Sequence, residues 1–162
     1  AVPTAMGGFA THLAYARGRT RREDPRIKEI GETEVGLSGA IAYDDGYTGP
    51  ALDPAEGARL AGVIGDKKVL FMANHGVATV GTTVAEAYDR LYYIERVAQV
   101  QIYAMWTGQR LKQLPGDVVE RTKVPRDADM SAGMPKYDPP PAVRHFDALK
   151  RILDRKEPDY KG

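Results

Sequence analysis

The chain of 162 residues carries three histidines and no cysteine. Thiolate nucleophiles, thiolate metal sites and disulfides are therefore excluded. His75 stands out by position. It follows the apolar run Val69–Met72, too short for a helix and bounded by Gly65-Asp66 and Asn74, the pattern of a buried strand. Asn74-His75-Gly76 breaks the run, residues 77–80 resume it and Gly81 stops it. His75 thus lies at the mouth of a strand, beside a glycine that admits close backbone approach. A strand end is a rigid mount for a metal ligand or a general base, although a lone imidazole there also serves as a structural group. His12 falls in Phe9-Ala10-Thr11-His12-Leu13, a short strand whose positions 10 and 12 face the same way. The adjacent acids Asp44 and Asp45 open a turn-rich loop reaching Pro50. The rest of an EF-hand loop is missing, so they are read as a solvated turn.

Several elements must position these groups. Thr83 and Glu86 have the spacing of a capping box. The helix they open runs to about Thr107, with Val84, Ala87, Tyr88, Leu91, Ile94, Val97, Ala98, Ile102 and Met105 at intervals of three and four. Arg90, Gln99 and Gln101 are assigned to its polar side. Asp53-Pro54-Ala55-Glu56 has a capping aspartate, a first-turn proline and an early acid, and it starts a helix with a Leu60, Val63 and Ile64 stripe that Gly65 closes. Residues 26–34 predict a short helix with Ile27 and Ile30 on one side, and residues 37–43 a strand. Residues 114–141 hold prolines at 115, 125, 135, 139, 140 and 141 and read as an irregular connector. Pro141 then starts a last helix to Lys156, with Val143, Phe146, Leu149, Ile152 and Leu153 inward and His145 exposed. Tyr160 falls in a frayed end.

A formal net charge of +1 argues against a nucleic-acid-binding domain. The local cluster Arg17, Arg19, Arg21 and Arg22 reads as a solvated loop. No apolar run approaches the ~20 residues that span a bilayer, and no signal-peptide pattern is present. With no cysteine, a cytoplasmic location is expected. Neither an internal repeat, a Walker loop, a G-x-G-x-x-G nor a G-x-S-x-G elbow occurs.

The segment ANHGVATVGTTVAEAYDRLYYIERVAQVQIYA, residues 73–104, resembles the class II aldolase/adducin family. The resemblance lies in an N-H-G turn after an apolar strand, a V-G strand end and a T-V-x-E-A-Y helix start. Upstream, Glu23-Asp24-Pro25, Gly39-Ala40-Ile41-Ala42-Tyr43 and Asp53-Pro54-Ala55-Glu56-Gly57 continue it in order. The tail, residues 139–160, is similar to the end of one bacterial branch. The resemblance implies a three-layer α/β/α domain around a mainly antiparallel sheet, truncated at the N-terminus. Residues 1–110 would form the core, 111–140 a Pro-rich connector, and 141–162 a helix and tail packing on the core or on a neighbouring subunit. The family's front unit, which carries its phosphate-gripping loops, is missing from the sequence. The edge so exposed and the family's cyclic tetramers both imply a homo-oligomer, with no nucleic-acid or membrane partner.

The resemblance also implies a divalent metal, zinc foremost, with Mn, Fe or Co as alternatives. The family binds it through a His-x-His pair and the N-H-G histidine. Here Ala10 takes the first position, leaving His12 and His75, with Glu32, Glu34, Asp44 or water to complete the shell; catalytic zinc commonly has three protein ligands. Glu34, or Tyr160 from a neighbouring subunit, would move the proton. The implied activity is a metal-dependent carbon–carbon lyase, aldolase- or decarboxylase-like, acting on a small hydroxy or oxo compound. A non-catalytic adducin-like assembly module with a degenerate metal site and a sugar-phosphate epimerase are the alternatives.

Overall fold

A computed structural model describes residues 26–46, 54–122 and 138–161. Ala10, His12, the arginine cluster and the expected cap Asp53 lie outside them. The described elements are α1 (Glu32–Val35), β1 (Ile41–Asp44), α2 (Pro54–Ile64), β2 (Val69–Met72), β3 (Gly76–Thr79), α3 (Val84–Trp106), α4 (Gly116–Thr122), α5 (Pro141–Lys156) and a closing 3-10 turn, Pro158–Lys161.

The three strands lie in the order β1-β2-β3. β1 and β2 are parallel, with Ile41 opposite Val69 and Asp44 opposite Met72; β2 and β3 are antiparallel, with Val69 opposite Thr79 and Met72 opposite Gly76. Helix α2 joins the parallel pair, the crossover that parallel strands require, and it packs on both. Val69 and Phe71 point to one face of the sheet and Leu70 to the other, and all three are at most 3% exposed. Both faces of the central strand are therefore covered, as an α/β domain demands, which explains why its sequence is continuously apolar. On one face Val69, Phe71 and Val77 meet Leu37, Ile94, Val97 and Ala98, with Tyr43 and Ile102 at the margin.

Helix α3 joins this core through its inward stripe and is stitched to β3 at its start. The buried Thr79 hydroxyl donates to the Ala87 carbonyl at 2.9 Å, and Arg90 Nη1 donates to the Val80 carbonyl at 2.7 Å. Thr83 caps the helix by accepting from Glu86 N at 3.2 Å. The other half of the expected box is displaced by one residue, since the Glu86 carboxylate accepts from the amide and hydroxyl of Thr82, both at 2.9 Å. Those bonds hold the Glu86 carboxyl below the usual carboxylate range.

Four sequence expectations are corrected. Of the helix expected at residues 26–34 only residues 32–34 are helical, within α1. The amides ahead of it find tertiary partners instead: Ile27 N donates to the Tyr43 hydroxyl at 3.1 Å and Lys28 N to Gln101 Oε1 at 2.8 Å. Gln101, assigned to the polar side of α3, is fully buried because Nε2 also donates to the Arg26 carbonyl, at 2.9 Å. The stretch read as an irregular connector contains α4, whose Val119 is buried. His145, expected to be exposed, is half-buried: Nδ1 lies 2.7 Å from Asp89 Oδ1, and its ring meets that of Tyr92 edge-on at 4.6 Å, which ties α5 to α3. Helix α5 has the expected bounds, but none of its residues is fully buried and Ile152 is 41% exposed.

Candidate active site

The β2–β3 connection concentrates the chemistry. His75 N donates to the Met72 carbonyl at 3.1 Å, closing a turn with Ala73 and Asn74 at its centre. Asn74 sits at φ +58, a left-handed conformation that its short polar side chain tolerates, and Gly76 at φ +152, where a side chain is disfavoured. The turn therefore selects Asn74 and Gly76 for backbone reasons alone. The His75 side chain is exposed, while Ala73 within the turn and Gly76 just after it are buried. An imidazole presented to solvent from a rigid sheet end is well placed to meet a cation or a substrate.

Asp44 ends β1 at the same edge of the sheet, and its carbonyl accepts Ala73 N at 2.8 Å. Asp44 is 7% exposed. Arg59 from α2 grips it two-pronged, Nη1 to Oδ1 at 2.9 Å and Nη2 to Oδ2 at 2.6 Å, while Gly46 N donates to Oδ1 at 3.1 Å. These bonds, led by Arg59, hold the Asp44 carboxyl below the usual range although burial pushes it up. Arg59 also donates from Nε and Nη2 to the Glu56 carboxylate, both at 2.8 Å, and from Nη2 to the Gly46 carbonyl at 3.1 Å. With both oxygens engaged, Asp44 is a poor candidate to complete a metal shell, and it is no solvated turn residue; Asp45 beside it is exposed.

The remaining candidates lie on other elements. Glu34 is 5% exposed on α1, which packs on α3 and α4. Its carboxylate occupies the space over Gly31, where an added Cβ would stand 2.7 Å from Oε2. Tyr160, in the closing 3-10 turn, donates its hydroxyl to Asp154 Oδ1 at 2.7 Å. It borders an apolar cavity of about 430 Å³ between α3 and α5, with Tyr88, Phe146, Leu149 and Leu153 in its walls. No residue of the β2–β3 turn lines that cavity. His12 lies outside the described residues. Among the described residues no group of three or more His, Cys, Asp or Glu side chains could hold a metal ion. They supply one accessible imidazole, and a shell would need His12 and non-protein ligands besides. Sequence reasoning missed the Asp44–Arg59 pair; the signal available was an acid at a strand end followed by a helix carrying glutamate and arginine three residues apart.

A protein of Pseudomonas aeruginosa that carries an aldolase class 2 name is 30% identical over 116 residues, which cover 71% of this chain and 43% of that protein. An adducin-related protein of Schizosaccharomyces pombe is 29% identical over 164 residues, covering 98% of this chain and 48% of the relative. The chain thus spans about half the length of the curated relatives it matches. The crystal structure of an aldolase II superfamily protein from Pseudomonas syringae superposes with a TM-score of 0.75 at 28% identity, over 95% of this chain and 56% of that one. L-fuculose 1-phosphate aldolase from Glaciozyma antarctica shares the fold, with a TM-score of 0.62 at 16% identity over 91% of this chain and 50% of the other. Residues 6–102 match the Class II Aldolase and Adducin N-terminal domain, and the chain belongs to that family.

Proposed function

We propose that the chain belongs to a divalent-metal-dependent carbon–carbon lyase, aldolase- or decarboxylase-like, acting on a small hydroxy or oxo compound, with its centre at the β2–β3 turn. The observation that carries this reading is the exposed His75 imidazole on a hydrogen-bonded turn of the sheet. His75 and His12 would hold the ion, zinc first among the candidates. When bound, it supplies positive charge beside an oxygen that gains electron density as the carbon–carbon bond breaks. His75 fixes the position of that charge relative to the sheet. Glu34, a carboxylate withdrawn from water, or Tyr160 of a neighbouring subunit would carry the proton. The Arg59–Asp44 pair stabilises the rim and leaves the imidazole as its accessible donor.

Aldol-cleavage and decarboxylation assays with added Zn, Mn, Fe or Co test the reading, with His75→Ala as control. Metal-dependent turnover that His75→Ala abolishes is the expected result. Absence of bound metal together with absence of turnover for any added ion overturns it. One observation favours a second reading, a non-catalytic assembly module of the adducin kind. Val100, Tyr103 and Trp106 near the end of α3 are 53%, 47% and 74% exposed, an apolar group suited to a subunit contact. A monomer by light scattering, with no partner retained in a pull-down, excludes that module.

A further inference from the structure

We propose that Arg59 is a positioning residue for the His75 turn, acting through Asp44; the proposal rests on the reading of that turn as the centre of the site. The path is continuous. The guanidinium holds both carboxylate oxygens of Asp44, at 2.9 and 2.6 Å. The Asp44 carbonyl accepts Ala73 N at 2.8 Å, and Ala73 is the first of the two central residues of the turn. Met72, the register partner of Asp44, accepts His75 N at 3.1 Å. The turn carrying the imidazole is thus tied to the end of β1 by one backbone bond, at Ala73, and closed onto β2 by a second, at His75, while the end of β1 is fixed to α2 by one side chain.

The exposures show which member needs the other. The Asp44 side chain is 8% exposed and that of Arg59 is 34% exposed. A buried carboxylate deprived of its cation either takes up a proton or turns outward to water. Both responses disturb the strand end whose carbonyl holds Ala73. A lysine could neutralise the charge, but its single ammonium cannot reproduce a planar two-pronged grip. The Glu56 carboxylate, bonded to Nε and Nη2, aims the guanidinium from its own helix. Arg59 has a second effect at the rim. It saturates Asp44 and so keeps an oxygen ligand out of any cation site at the turn, which leaves the choice of ion to imidazole.

Amide hydrogen exchange by NMR on the full chain tests the proposal, with wild type, Arg59→Met and Arg59→Lys compared. In Arg59→Met the Ala73 amide should exchange about tenfold faster or more, as local opening of the strand end requires, and the His75 ring signals should shift. Val69 and Val80, whose amides bond to the Ala40 and Lys68 carbonyls at the opposite end of the sheet, should keep wild-type rates. Arg59→Lys should recover only part of the Ala73 protection. Asp44→Asn, a milder change, should loosen Ala73 in the same local way, which keeps the test decisive if Arg59→Met does not fold. Unchanged Ala73 protection, or equal acceleration at both ends of the sheet, overturns the proposal. None of these readouts requires turnover or metal, so a failure of the lyase reading is seen separately.

Discussion

Replacing Gln101 by leucine should cost the fold about 2 kcal/mol, and the structure says why. Gln101 is fully buried, yet its amide makes two bonds to a segment more than seventy residues away, Oε1 accepting Lys28 N at 2.8 Å and Nε2 donating to the Arg26 carbonyl at 2.9 Å. Leucine nearly matches the volume and removes both partners. A stranded buried donor or acceptor costs ~1–3 kcal/mol. Because the backbone groups are only part-buried, the lower half of that range applies to each, roughly 3 kcal/mol for the pair. The added apolar surface returns about 1 kcal/mol. Urea unfolding followed by circular dichroism should show a midpoint lowered by roughly 1 M with an unchanged slope, for a slope near 2 kcal/mol per M. Gln101→Glu should be worse, because it keeps the acceptor, loses the donor and buries a charge. A loss below ~0.5 kcal/mol for the leucine variant, the scatter of a neutral surface change, would refute the claim that the glutamine clamps residues 26–28 onto α3.

Two further outcomes follow from contacts elsewhere in the fold. An added Cβ at Gly81 would stand 2.7 Å from Ala87 N and 2.8 Å from Glu86 Cβ, so Gly81→Ala must push α3 away from β3; a stability loss of ~1–3 kcal/mol is expected, and an unchanged melting temperature would contradict it. Asp44 and Glu86 have folded-state carboxyls held below their ordinary values of 3.8 and 4.5, so each contributes stability that is present above its ordinary value and lost as pH falls through the lower folded one. The urea midpoint should therefore be flat from neutrality to about pH 5 and fall below about pH 4, and Asp44→Asn should flatten that fall; an equal fall in the variant would contradict the assignment.

How much was legible in the sequence follows from which forces act locally. Val69–Met72 reads as a buried strand because both its faces are covered, so no alternation is needed. Helix α3 was visible from its stripe and its Thr83 cap, and α5 from Pro141 at its start. The Asn-His-Gly turn was visible because backbone conformations at Asn74 and Gly76 select those residues. The failures share a cause: long-range partners replaced local ones. Residues 26–31 have a helical pattern, but the amides of Ile27 and Lys28 go to Tyr43 and Gln101. Asp44 has the composition of a turn, but Arg59, fifteen residues on, makes it a buried anchor. His145 lies off the apolar stripe of α5, yet Asp89 on another helix receives it. Proline content masked α4, although Val118 N and Val119 N both bond to the Pro115 carbonyl, so that proline begins the helix.

The measurement that bears most directly on the central claim uses the three histidines as one another's controls. The imidazole signals of His12, His75 and His145 should be followed by NMR as Mn²⁺ is added to the full chain. A shared site predicts that His12 and His75 broaden together at the same metal concentration, while His145, held on Asp89, keeps its line width until much later. Sharp His75 signals at saturating Mn²⁺, or His75 broadening no earlier than His145, would contradict the placement of a metal-dependent lyase centre at the β2–β3 turn.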